Sequence, residues 1–203
     1  MAEFDNLVKR IARILDEIHL KYVIVGGFAT ILRGRPRTTT DLDLIIENNQ
    51  EKIETFLEEL KKQNFDMMEN QFRMAIKEGT NISIFDNLSP LRVDLKVATK
   101  RDDITALTSA IKESYNGVIV QVASTEQILY GKVLYLGDIS DIPDTELIEY
   151  QDVRDFINVF RQQRDQINLN VLKENAQKAG LTHTLEKLIA EAKKKSTKQQ
   201  TLF

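Results

Sequence analysis

The stretch 38-TTTDLDLII-46 decides how this chain is read. Apolar and polar residues alternate through it, and that period of two predicts a β-strand over about 37–46. Side chains along a strand point alternately to its two faces. Arg37, Thr39, Asp41 and Asp43 therefore share one face, and Leu42, Leu44 and Ile46 share the other. The apolar face packs into a core. The opposite face carries two carboxylates that repel each other, which raises one pKa or loosens the strand unless a counterion is near. A divalent cation removes that conflict because its charge favours both ionised forms, and hard oxygen ligands suit Mg²⁺. The plainer alternative is a solvent-facing edge strand with two incidental acids. An acid–apolar–acid triplet alone does not decide between them.

Three neighbouring features bear on the choice. Gly26-Gly27 follows the short apolar stretch 22-YVIV-25 and precedes a helical segment, where a backbone without side chains can approach a phosphate. A tight turn is the alternative use for such a pair. Asp94 stands in 93-VDL-95, an acid within apolar neighbours on another expected strand. Asp86 in 84-IFDN-87 is its rival, but the turn-like residues after it make it a poorer ligand. Arg33, Arg35 and Arg37 come immediately before the acids, and such charge suits a triphosphate as well as a solvated loop.

Outward from that core, Phe4, Leu7, Ile11, Ile14, Leu15 and Ile18 fall at helical spacing and predict a helix over 3–19. Asn48 with Glu51 forms a capping-box pattern for a helix carrying Ile53, Phe56, Leu57 and Leu60. The segments 72-FRMAIK-77 and 81-NISIF-85, separated by a turn at Glu78–Thr80, read as a hairpin. A strand at 91–97 follows, then a helix capped near Thr99 or Asp102 that carries Ile104, Leu107 and Ile111, then a strand at 117–123. Beyond Ser124 the pattern is helical, with one stripe at Val153, Phe156, Ile157 and Phe160 and another at Leu181, Leu185, Leu188, Ile189 and Ala192. The expected organisation is a mixed α/β (α+β) domain at 1–123, a helical domain at 124–196 and a polar tail at 197–203.

Composition excludes several classes. The 203 residues include no Cys and two His, which rules out disulfides and Cys-ligated zinc and leaves a His-rich metal site improbable. A net charge of −3 gives no global attraction to nucleic acid or anionic lipid. No apolar run approaches a membrane span, and the first residues lack a signal-peptide core, so no membrane partner and a cytoplasmic location are expected. The basic tail 193-KKKSTKQQ-200 reads as solvated. A P-loop fails at 130-YGKVL-134, where Val133 stands in place of the Ser or Thr after the lysine. Neither G-x-S-x-G nor G-x-G-x-x-G occurs.

Taken in order, 25-VGG-27, a spacer over 28–40, 41-DLD-43 and 93-VDL-95 resemble the signature of the nucleotidyltransferase superfamily that includes DNA polymerase beta. The details 26-GGFA-29 and 37-RTTTDLDL-44 look most like its AbiEii-type and minimal (MNT-type) bacterial and archaeal branch. The resemblance covers about residues 20–160. In that branch a helical lysine and a helix with paired acids follow, matched here by Lys132 and by Asp152 and Asp155, although Gln151 replaces a usual lysine and 138–149 is an insert.

The resemblance implies transfer of an NMP group from an NTP to a hydroxyl, with pyrophosphate released. It implies phosphates on the Gly26-Gly27 backbone, two Mg²⁺ ions on Asp41 and Asp43, and Asp94 on one of them, helping to take the acceptor proton. Arg37, Thr39 and Lys132 are the nucleotide-binding candidates. Asp152 and Asp155 orient Lys132 or lie on the surface. The acceptor is left open among protein, tRNA and small molecule, as is a toxin–antitoxin role. The apolar stripes of the helical domain offer a homodimer surface. The rival reading from another class is a non-catalytic nucleotide-binding or interaction module on the same fold.

Overall fold

The computed structural model describes residues 2–194. The tail 197–203 lies outside the described residues. The chain divides into two compact units, one of residues 1–31 and 36–124, the other of residues 32–35 and 125–203.

The first unit is a mixed α+β fold built on a seven-stranded sheet. Its strands are β1 (Tyr22–Ile24), β2 (Asp41–Ile46), β3 (Phe65–Asp66), β4 (Ile82–Asp86), β5 (Arg92–Val97), β6 (Ile111–Tyr115) and β7 (Val118–Val122). They lie in the order β3-β4-β5-β2-β1-β7-β6. The acidic strand β2 is therefore central, parallel to β5 on one side and antiparallel to β1 on the other. Its place follows from its apolar face: Leu42, Leu44 and Ile46 are buried, and a strand flanked on both edges has every backbone group paired.

Helices α1 (Ala2–Glu17), α2 (Gly26–Leu32), α3 (Gln50–Lys62), α4 (Glu69–Glu78) and α5 (Arg101–Thr108) belong largely to this unit. Leu7, Ile11, Ile14 and Leu15 of α1 are buried, as their spacing requires. Asn49, one residue after the expected cap, begins α3, and its side chain accepts the Lys52 amide at 3.1 Å. At α5 the chain shifts likewise to Lys100 at the cap, whose amide donates to Asp103 at 3.4 Å.

Two segments differ from the sequence reading. The stretch 72-FRMAIK-77 is helical, inside α4, and not the first strand of a hairpin. Phe72 and Ala75 lie three apart on its buried side, and Gly79 at φ +65° ends the helix in the left-handed conformation instead of turning a hairpin. Strand β4 pairs with β3 and β5. Ile111 is not on α5, which stops at Thr108, but opens β6. The turn Asn116-Gly117, with φ of 45° and 86°, joins β6 to β7 as a two-residue hairpin. Asn-Gly is the favoured pair there because both positions need positive φ.

The second unit contains α6 (Thr125–Leu136), a 3₁₀ turn at Leu147–Glu149, α7 (Gln151–Gln162), α8 (Leu169–Lys178) and α9 (Thr182–Lys193). Leu129, Val133, Phe156, Phe160, Leu172 and Leu188 meet in its core, and the rings of Phe156 and Phe160 stack at 5.9 Å. Burial of one such side chain contributes about 1.5–3 kcal/mol. The segment 138–149 is tied into this core by Ile139 and Leu147, both buried. Lys187 donates to the carbonyls of Ile139 and Ile142 at 3.2 and 2.6 Å.

Candidate active site

The parallel register of β2 and β5 builds the site. Asp41 stands beside Arg92, and Asp43 beside Asp94. Residues paired across neighbouring strands project to the same face, so three carboxylates and one guanidinium share a patch on two adjacent strands. Strand β4 adds Ser83, which pairs with Asp94, and Phe85, which pairs with Arg92.

Hydrogen bonds link these groups. The Arg92 Nε donates to both Asp94 oxygens at 3.2 and 3.1 Å, and its Nη2 donates to Asp41 Oδ2 at 3.2 Å. The Ser83 hydroxyl donates to Asp94 Oδ1 at 2.5 Å. The Arg92 guanidinium is held above its usual pKa, first by the hydrogen bond to Asp94 and then by that residue's charge, with Asp41 and Asp43 adding. Thr39 donates its hydroxyl to Asp41 Oδ1 at 2.7 Å. Neither Arg92 nor Ser83 was singled out from sequence. The available signal was the alternation of 92-RVDLKV-97, which puts Arg92 on the face of Asp94.

The diglycine lies against the acids. Gly26 has φ +62°, and a Cβ there would overlap the Asp43 carboxylate. The Gly27 amide donates to Asp43 Oδ2 at 3.3 Å. A Cβ on Gly27 would meet the Arg37 guanidinium at 2.7 Å and the Thr39 hydroxyl at 3.0 Å. Gly26, Gly27, Arg37, Thr39, Asp41 and Asp43 are thus brought together. The helix that carries the glycines is anchored by Phe28, whose ring meets those of Phe4 and Tyr115 edge-on at 5.0 and 4.9 Å.

Asp86 serves elsewhere. Burial favours its neutral form, but hydrogen bonds from Ser89, Arg10 and the Leu88 amide outweigh that and hold it below the usual carboxylate range. The Arg10 pair measures 2.7 Å.

Lys132 lies in the second unit. It donates to Asp152 at 2.7 Å and to Asp155 at 2.8 Å, and Asp155, fully buried, also pairs with Arg35. The two acids of α7 are therefore lysine partners and not plain surface charge.

The metal question turns on the donor set. Asp41, Asp43 and Asp94 offer hard carboxylate oxygens on one partly exposed face, and a cation, Arg92, already sits among them. That chemistry fits Mg²⁺. As the side chains stand, no group of three acidic or imidazole residues encloses an ion among the described residues.

Comparison with known structures identifies the class. The crystal structure of ANT(2″)-Ia in complex with adenylyl-2″-tobramycin aligns over 88% of this chain and 99% of its own, at 19% identity and a TM-score of 0.61. A nucleotidyltransferase-like antigenic protein from Paracoccidioides brasiliensis aligns over 92% and 93%, at 24% identity and a TM-score of 0.52. These likenesses carry the fold, which is that of the nucleotidyltransferases; together with the family match given below, the superfamily expected from the sequence is borne out. A search of curated proteins returned no match. The model of the aminoglycoside-2″-adenylyltransferase family matches residues 7–127. The chain belongs to that family and is a nucleotidyltransferase. Among the described residues, no helix is long and apolar enough to cross a membrane.

Proposed function

We propose that this chain moves the AMP group of ATP to a hydroxyl of a small amino-sugar acceptor and releases pyrophosphate. The register of Asp43 with Asp94, two residue pairs beyond Asp41, carries the reading, because it gathers the three acids of the signature on one face. The choice of donor and acceptor is supported by the family, one of whose members is bound to adenylyl-2″-tobramycin.

The acceptor oxygen attacks the α-phosphorus. The bond from that phosphorus to the oxygen bridging to the β-phosphate breaks, and the electron pair leaves with pyrophosphate. Asp94, held by Ser83, takes the hydroxyl proton. Arg37, with its guanidinium against Gly27, faces the triphosphate together with Thr39. Asp41, Asp43 and Asp94 are the residues that would hold Mg²⁺, which when bound supplies positive charge to the phosphoryl oxygens and to the attacking hydroxyl.

The test is incubation with each of four labelled NTPs, Mg²⁺ and, separately, tobramycin, tRNA and cell-lysate protein. Label from ATP on tobramycin is the expected result. Label on tRNA or protein would reassign the acceptor. Nucleotide binding with no transfer to any of them would make the chain a non-catalytic module.

A further inference from the structure

Three carboxylates packed on neighbouring strands repel, and like charges directly opposite on a sheet destabilise it. In this chain the compensating charge is internal. One guanidinium makes three hydrogen bonds, two to Asp94 and one to Asp41, and it stands beside Asp41 in the strand register. Its side chain is 45% exposed, against 27% for Asp41 and 18% for Asp94. An exposed ion pair of this kind contributes little net stability, because water screens both charges. It is thus cheap to break, and Arg92 has open solvent to move into. Asp94 does not depend on Arg92 alone for its orientation, because Ser83 on the next strand holds the same carboxylate at 2.5 Å.

We propose that Arg92 is a built-in competitor for the divalent cation, an internal positive charge that keeps Asp41 and Asp94 together and must leave them when metal binds. The proposal rests on the reading of these acids as metal-holding. Arg92 is a positioning residue: it presets the spacing of the two carboxylates at the expense of metal affinity. The fold then has a stable acid cluster before any nucleotide arrives, and cation entry exchanges one counter-charge for another instead of assembling the site from repelling parts.

The experiment measures Mn²⁺ binding to nucleotide-free protein by titration calorimetry and electron paramagnetic resonance, with thermal unfolding in parallel. Arg92→Gln should bind Mn²⁺ about tenfold more tightly than the parent, the size of effect one charge at this separation gives in a well-solvated site. It should also melt lower without metal and regain more on Mn²⁺ addition. Arg92→Lys, which keeps the charge but loses the fork, should fall between. Asp43→Asn is the control and should weaken Mn²⁺ binding in every background. Equal or weaker Mn²⁺ affinity in Arg92→Gln, with the control still sensitive, overturns the competitor role and leaves the metal reading intact. Mn²⁺ binding indifferent to Asp43→Asn overturns both.

Discussion

Asp43 and Asp94 face each other directly across two parallel strands at the middle of the sheet. That pairing converts two acids remote in sequence into one site. It also sets a conflict: the charges that would serve the chemistry work against the sheet that carries them.

Neutralising either member should therefore separate activity from stability. Asp43→Asn and Asp94→Asn should each lower nucleotidyl transfer by at least about 10²–10³-fold, the scale of losing one electrostatic contact in a transferring site. The melting temperature should hold or rise slightly. Full metal-dependent transfer by Asp43→Asn would contradict the assignment.

The diglycine is predicted to be intolerant for a steric reason. Gly26→Ala puts a side chain into the left-handed region at a cost of about 1–2 kcal/mol, before its overlap with the Asp43 carboxylate is counted. Reduced stability together with lost transfer is expected. Gly27→Ala, with no positive φ but with Arg37 and Thr39 in the way, should be milder in stability and should raise the KM for nucleotide. Unfolding curves and initial rates at varied ATP check both.

The Arg10–Asp86 pair sets a pH dependence. The folded carboxyl of Asp86 lies below its usual range, so its stabilising contribution is complete above that range and disappears as the pH falls through the folded value. Arg10→Ala should cost about 2–3 kcal/mol at neutral pH, since it strips one charged partner from a nearly buried acid that keeps Ser89 and Leu88. The cost should shrink below about pH 4. Denaturant unfolding of parent and variant across pH 3–7 tests it, and a pH-independent difference would refute it.

In the helical unit, Lys132→Met should destabilise by about 1–3 kcal/mol because it removes one of the two cations that pair with buried Asp155, which keeps Arg35. Changing both partners, Lys132→Met with Asp155→Leu, should cost less than the sum of the single changes. Additive costs in a double-mutant cycle would show that the pair is not coupled.

Much of the fold was legible in local pattern. The alternation of 41-DLDL-44 and the spacing of Leu7, Ile11, Ile14 and Leu15 each report a face, and burial follows that face. The misread segments were those where pattern is ambiguous. Phe72 and Ala75 support a helix as readily as a strand, and Ile111 extends the stripe of α5 until the Asn116-Gly117 turn is given its weight as a hairpin signal.

By itself the sequence determined which side of β2 is acidic and which is apolar, that a diglycine precedes it, and that the superfamily signature is present in order. Those are properties of neighbours along the chain, fixed by backbone period and side-chain chemistry. Only the tertiary structure decided that Asp43 faces Asp94, that Arg92 and Ser83 hold the third acid, and that Gly26 has no room for a side chain. Strand order and register are set by how distant apolar faces pack together, and no local period carries that information.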